Sequence, residues 1–167
     1  MTTQANFSLG IYDRRTILWS WLFPLSYLIH IAEEYWGGQG YPAYLLRLRG
    51  VHMSNTRFLA AQSVGFILVT IGVILARKLK FLPMMLVILG ALVAGNALTH
   101  TVTALGVLEY GPGLWSSIFV WGPLGIVTMI RYKSAIDEQW QYWLAIAIGV
   151  AINVIVGVLA MRGGRIT

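Results

Sequence analysis

Three histidines and six acidic residues carry most of the capacity of this chain for acid–base or metal chemistry, and there is no cysteine. Two of the acids are adjacent in "HIAEE", where Glu33 and Glu34 follow His30 by three and four positions. On a helix of about 3.6 residues per turn both flank the direction of His30, and Ser26 continues that stripe one turn earlier. A second polar run, "NALTH", places Asn96 four residues before His100, so both face one way, with Thr103 in line and Thr99 beside them. His30, Glu33, Glu34 and His100 form a donor set suited to a divalent metal, zinc or else iron or manganese, with Asn96 orienting one of the ligands. A helix presenting His and Glu three or four positions apart is an established way of holding metals in bundles.

The same five residues, His30, Glu33, Glu34, Asn96 and His100, also suit metal-free acid–base catalysis. One glutamate would donate a proton and a histidine would relay one. Tyr27, Trp115 and Trp121 could then stabilise a carbocation by cation–π contact, as in isomerisation or cyclisation of an isoprenoid, a sterol or another lipid. A non-catalytic reading stands beside these: the polar groups hold helices together through contacts of under about 1 kcal/mol each. Five polar residues at one depth favour a site over that reading, because ionisable groups inside a membrane are costly and cluster where function needs them.

The elements that position these residues follow from composition. The chain has 167 residues, of which 57% are hydrophobic and 11% charged. A soluble domain spends about a quarter of its residues on charge, so the chain reads as an all-α polytopic membrane protein in one domain. Five stretches are long enough to cross about 30 Å of hydrocarbon, approximately 16–36, 58–76, 81–107, 113–130 and 140–161. After the first, "GGQGYPAYLLRLRGVHMSN" turns from glycine-rich to amphipathic and suits a short interfacial or re-entrant element. Odd-numbered spans cross in the same direction. His30, Glu33 and Glu34 near the exit of span one therefore share a depth with Asn96 and His100 near the exit of span three. His52, in the loop on that side, is a candidate third imidazole.

The net charge of +6 does not point to nucleic acid, because the basic residues sit in short clusters between apolar runs. Arg14, Arg15, Arg77, Lys78, Lys80, Arg131 and Lys133 fall on one side, against Arg47, Arg49, Arg57, Arg162 and Arg165 on the other. That bias places the N-terminus in the cytoplasm. Arg47, Arg49 and Arg57 read as interfacial anchors on the side of the polar cluster. "MTTQANFSLGIYDRR" has no signal-peptide pattern, so the first span is expected to be retained. Most Trp and Tyr residues lie near span ends, as in an aromatic belt, whereas Trp121 sits mid-span and could wall a pocket. Pro24, Pro83 and Pro123 are tolerated in membrane helices. Gly90 and Gly95 favour close helix packing, and Asn153 an interhelical contact.

"HIAEE" together with "NALTH" resembles the HxxEE family of small bacterial integral membrane proteins, which pairs an HxxEE motif with a later NxxxH motif. "EYGPG", Glu109 to Gly113, is a further candidate family feature. The resemblance spans most of the chain and implies a bacterial inner-membrane location. It adds weight to these residues without implying a reaction. The expected function is that of a membrane-embedded enzyme acting on a lipophilic small molecule drawn from the lipid bilayer, and a homo-oligomer is compatible with it. Glu33 and Glu34 point about 100° apart on an ideal helix. One is expected to face the histidines, and the other the loop, Arg47 or Arg49, or water.

Overall fold

The computed structural model describes residues 12–162, and these form helices joined by short loops, with no strand among them. The stretch before Tyr12 and the basic Arg165 lie outside the described residues. Asp13 caps the first helix, α1 (Arg14–Trp36), by accepting from the Thr16 amide at 2.8 Å, which satisfies a donor that the helix itself leaves unpaired. A glycine-rich exit leads to α2 (Tyr41–Arg49), which ends on Gly50 in the left-handed region. Ser54 caps α3 (Asn55–Lys78) through the Arg57 amide, and α4 runs from Leu82 to Val107. The next helix begins as α5 (Leu114–Ser116), widens into a π-helical turn over Ser117–Trp121, and continues as α6 (Gly122–Tyr132). A last helix, α7, spans Gln139–Arg162.

Among the described residues, four helical segments are long and apolar enough to cross a membrane: Asn55–Lys78, Leu82–Val107, Leu114–Ala135 and Gln139–Met161. They match spans two to five of the sequence reading, each shifted by a few residues at its ends. The first helix is as long, at 23 residues, but its arginines, glutamates, histidine, proline and serines keep it out of that group on composition. The segment following it contains the nine-residue helix α2.

α4 is the hub of the bundle and packs most extensively against α7 and α6. Its Leu82, Leu86, Val87, Leu89, Val93 and Ala97 join Phe23, Val73, Trp121, Tyr132, Tyr142 and Ala145 in one buried cluster. Close approach of the backbones depends on small residues. A Cβ on Gly149 of α7 would collide with the Ile88 carbonyl of α4, and one on Gly125 of α6 with the Gly90 carbonyl. Such contacts replace the hydrophobic drive that lipid does not supply between helices. Gly95 serves a related purpose, leaving room for the Asn153 side chain of α7. Leu59, Ile67 and Leu68 of α3 and Val154, Ile155 and Leu159 of α7 face outward and are exposed, the inverse of a soluble surface.

α1 lies antiparallel along the whole length of the α5–α6 helix, tied to it at successive levels. Tyr132 Oη lies 3.4 Å from Thr16 Oγ1, and Trp19 Nε1 donates to Thr128 Oγ1 at 2.9 Å. Further along, Trp121 Nε1 donates to Ser26 Oγ at 3.1 Å, and His30 Nδ1 meets Ser116 Oγ at 2.8 Å. These contacts fix the depth of α1 relative to its neighbours, and they carry His30 to the start of α5.

Candidate metal centre

His30 and Glu34 lie one turn apart on the buried face of α1, and His100 reaches them from α4. Glu34 Oε1 is 3.6 Å from His30 Nε2 and 3.5 Å from His100 Nε2. One ligand atom from each of the three residues lies within 4.8 Å of the others. The rings of His30 and His100 meet edge to face with centroids 5.1 Å apart. His30 and Glu34 are nearly inaccessible, at 2% and 4% exposure. The common depth expected of "HIAEE" and "NALTH" is therefore realised as side-chain convergence.

The spacing separates two chemical readings. Direct hydrogen bonds between imidazole and carboxylate close to about 2.7–2.9 Å, and neither histidine comes that near. Four ligands held about 2.0–2.2 Å from a tetrahedral ion stand about 3.3–3.6 Å from one another. The two imidazole–carboxylate distances fall in the second range, while the three ligand atoms together span up to 4.8 Å, so a bound ion would draw the imidazoles closer. His30 Nε2, fully buried, has no hydrogen-bond partner among the described residues.

Groups behind the three residues fix their aim. Ser116 Oγ lies 3.2 Å from the Gly113 carbonyl and 2.8 Å from His30 Nδ1; with its hydroxyl turned to the carbonyl, the imidazole Nδ1 is the donor in the second contact. That tautomer leaves the Nε2 lone pair of a neutral His30 directed at Glu34 and His100. The Trp121 ring stacks on His30 with centroids 3.7 Å apart and planes 22° apart. Trp121 closes the π-helical turn, and such turns recur at functional sites because they re-aim a side chain within a continuous helix. The far oxygen of Glu34, Oε2, accepts from Gln62 Nε2 at 2.6 Å, and Gln62 Oε1 accepts from Tyr27 Oη at 2.9 Å. Tyr27 thus positions Glu34 through Gln62. Gly113, at φ +89°, closes the site: a Cβ there would come within 3.0 Å of His30, His100 and Glu34 together.

Glu33 does other work. Its carboxylate accepts from the amides of Trp115 at 2.9 Å and Ser116 at 2.6 Å, and from Tyr110 Oη at 2.8 Å. Those amides belong to the first turn of α5, so Glu33 caps a helix from another segment of the chain and complements its dipole. Burial and the hydrogen bond to Glu33 push the Tyr110 phenol up to about 12. Glu33 is therefore held by the loop, and not by Arg47 or Arg49. Arg47 instead pairs with Glu109, whose carboxyl that guanidinium holds below the usual range.

Of the remaining candidates, Asn96 sits one turn before His100 on α4, and its Oδ1 is buried without a hydrogen-bond partner among the described residues. His52 is exposed in the loop before α3 and is not in the His30, Glu34 and His100 group. Trp115 is 55% exposed and stacks on Tyr110 and Phe119, whereas Trp121 is buried and walls the site.

Sequence reasoning missed Gln62, Ser116 and the contact made by Gly113. Gln62 left a signal as the one glutamine inside the otherwise apolar second span. "EYGPG" left another, since Glu109, Tyr110 and Gly113 each contact a different part of this corner. Ser116, in "LWSS", looks like an ordinary small polar residue of a membrane helix.

A family model described as a protein of unknown function with HXXEE motif matches residues 21–128. No curated protein and no solved structure matches the chain.

Proposed function

The chain belongs to the HXXEE family, and on that premise we propose that it is a membrane-embedded metalloenzyme acting on a lipophilic substrate. His30, Glu34 and His100 are the ligands, and Glu33 is the positioning residue that holds the α5 loop against them. The observation that carries this reading is the pair of 3.5 and 3.6 Å imidazole–carboxylate distances around a buried Nε2 without a partner. Two imidazoles and a carboxylate form the donor set of catalytic zinc and of non-haem iron sites, which leave positions open for substrate or water. A bound divalent cation would supply Lewis-acid polarisation there, and it would compensate the Glu34 charge, whose burial otherwise costs several kcal/mol.

In this reading α1 is a fifth span. It is long enough, at about 1.5 Å per residue, and it runs alongside the α5–α6 segment from Thr16 to His30. The site then lies inside the bilayer near one face, which favours a substrate that partitions into lipid. An inner-membrane location with the N-terminus in the cytoplasm accords with the distribution of Lys and Arg.

The test is elemental analysis of the purified protein after expression in medium supplemented with zinc, iron and manganese. The expected result is about one equivalent of one metal in the wild type, lost in both His30→Ala and His100→Ala. A metal-free wild-type protein under those conditions would overturn the metalloenzyme reading.

A further inference from the structure

The opposite end of α1 carries a second polar feature, about 15 residues and so roughly 22 Å from His30. A groove of about 330 Å³ opens there, lined by Arg15, Leu18, Trp19, Leu22 and Arg131. Arg15 of α1 and Arg131 of α6 both line it. Arg131 lies over the Trp19 ring at 5.0 Å, and Trp19 is anchored by its bond to Thr128. Among the described residues neither Arg15 nor Arg131 forms an ion pair, whereas Arg47 pairs with Glu109. Asp13 is the acidic group nearby; it caps α1 and its charge is felt by both Arg131 and Arg15, so the two arginines outnumber it.

The groove changes character along its length. Arg15, Leu18, Trp19 and Leu22 share one face of α1, with the charge at the helix end and the leucines one and two turns deeper. Leu18 is 56% and Leu22 39% exposed, so the deeper wall is open and apolar. An occupant must therefore be anionic at one end and hydrocarbon below it. We infer that this groove binds an anionic phospholipid, its phosphate between the guanidiniums of Arg15 and Arg131 and an acyl chain along Leu18, Trp19 and Leu22. Arginine forks suit phosphate oxygens, and the apolar wall distinguishes a lipid from a free phosphate ion.

Native mass spectrometry of the full chain, released from detergent micelles, tests this with phosphatidylglycerol and phosphatidylcholine as probes. The wild type is expected to retain one phosphatidylglycerol in preference to phosphatidylcholine, and millimolar inorganic phosphate should not displace it. Arg15→Gln and Arg131→Gln should each weaken retention about fivefold, and the pair about thirtyfold. Arg77→Gln with Lys78→Gln removes two charges elsewhere and should change nothing, with circular dichroism confirming helicity throughout. Equal loss in that control, no preference between the lipids, or displacement by phosphate would each overturn the assignment.

Discussion

Glu33 and Glu34 are neighbours in the chain and opposites in the structure. Glu34 turns inward, where two imidazoles stand at 3.5 and 3.6 Å and Gln62 holds its outer oxygen. Glu33 turns toward the loop after α4 and is saturated by two amides and a phenol. One carboxylate has its acceptor capacity left open toward the two imidazoles, and the other has spent it on architecture. In the proposed reading, this acid pair divides into a ligand and the cap that holds the opposite wall in place. Removing either should damage the same corner by different routes.

The largest expected effect comes from the ligands. Glu34→Gln, His30→Ala and His100→Ala should each lower metal affinity a hundredfold or more, read by elemental analysis and by competition with a chromophoric chelator. Retention of full metal by Glu34→Gln would erase the contrast between the two acids. Glu33→Ala should act on stability first. It strands the Trp115 and Ser116 amides and the Tyr110 hydroxyl, a loss of about 2–4 kcal/mol, seen as a lowered melting temperature in detergent. A Glu33→Ala protein with wild-type melting but no metal would reverse the assignment of the two roles.

Effects one layer out should be smaller. Gln62→Leu removes the donor to Glu34 without touching a ligand, and about a tenfold loss of metal affinity is expected, within the range for such supporting residues. Tyr27→Phe should follow it more weakly, because Gln62 stays in place. The smallest effect belongs to the exposed Arg47–Glu109 pair. The Glu109 carboxyl is held below its ordinary value by Arg47, so its contribution is present above about pH 4.5 and fades as pH falls through the lowered value. Melting curves of wild type and Glu109→Gln should therefore differ slightly at pH 7 and converge near pH 3. A difference that grew on acidification would contradict that sign.

The sequence made the membrane helices legible because an apolar run of about 20 residues has few other uses. It made the shared depth of His30, Glu34 and His100 legible too, because alternating spans return the chain to the same side. Gln62 was hidden by its neighbours, since one amide in an apolar span is as easily an interhelical contact as a ligand support. Ser116 was hidden for a different reason. Its role depends on the turn at Gly113 that starts α5 beside His30, a placement that no spacing rule anticipates. His52 shows the converse: an imidazole on the expected side of the bundle that stays exposed, because nothing in the loop draws it inward.

What the sequence determined by itself is therefore periodicity and level: which stretches are helical, which of them are apolar enough to cross a membrane, and which polar residues meet at one height. Choice among neighbours at that height belonged to the tertiary structure. Glu33 and Glu34 differ by about 100° of rotation on one helix, and only the packing of α1 against α3 and the α5 turn selects which faces inward. Helical spacing is a property of the chain alone, whereas the direction of the centre is set by the elements that surround it.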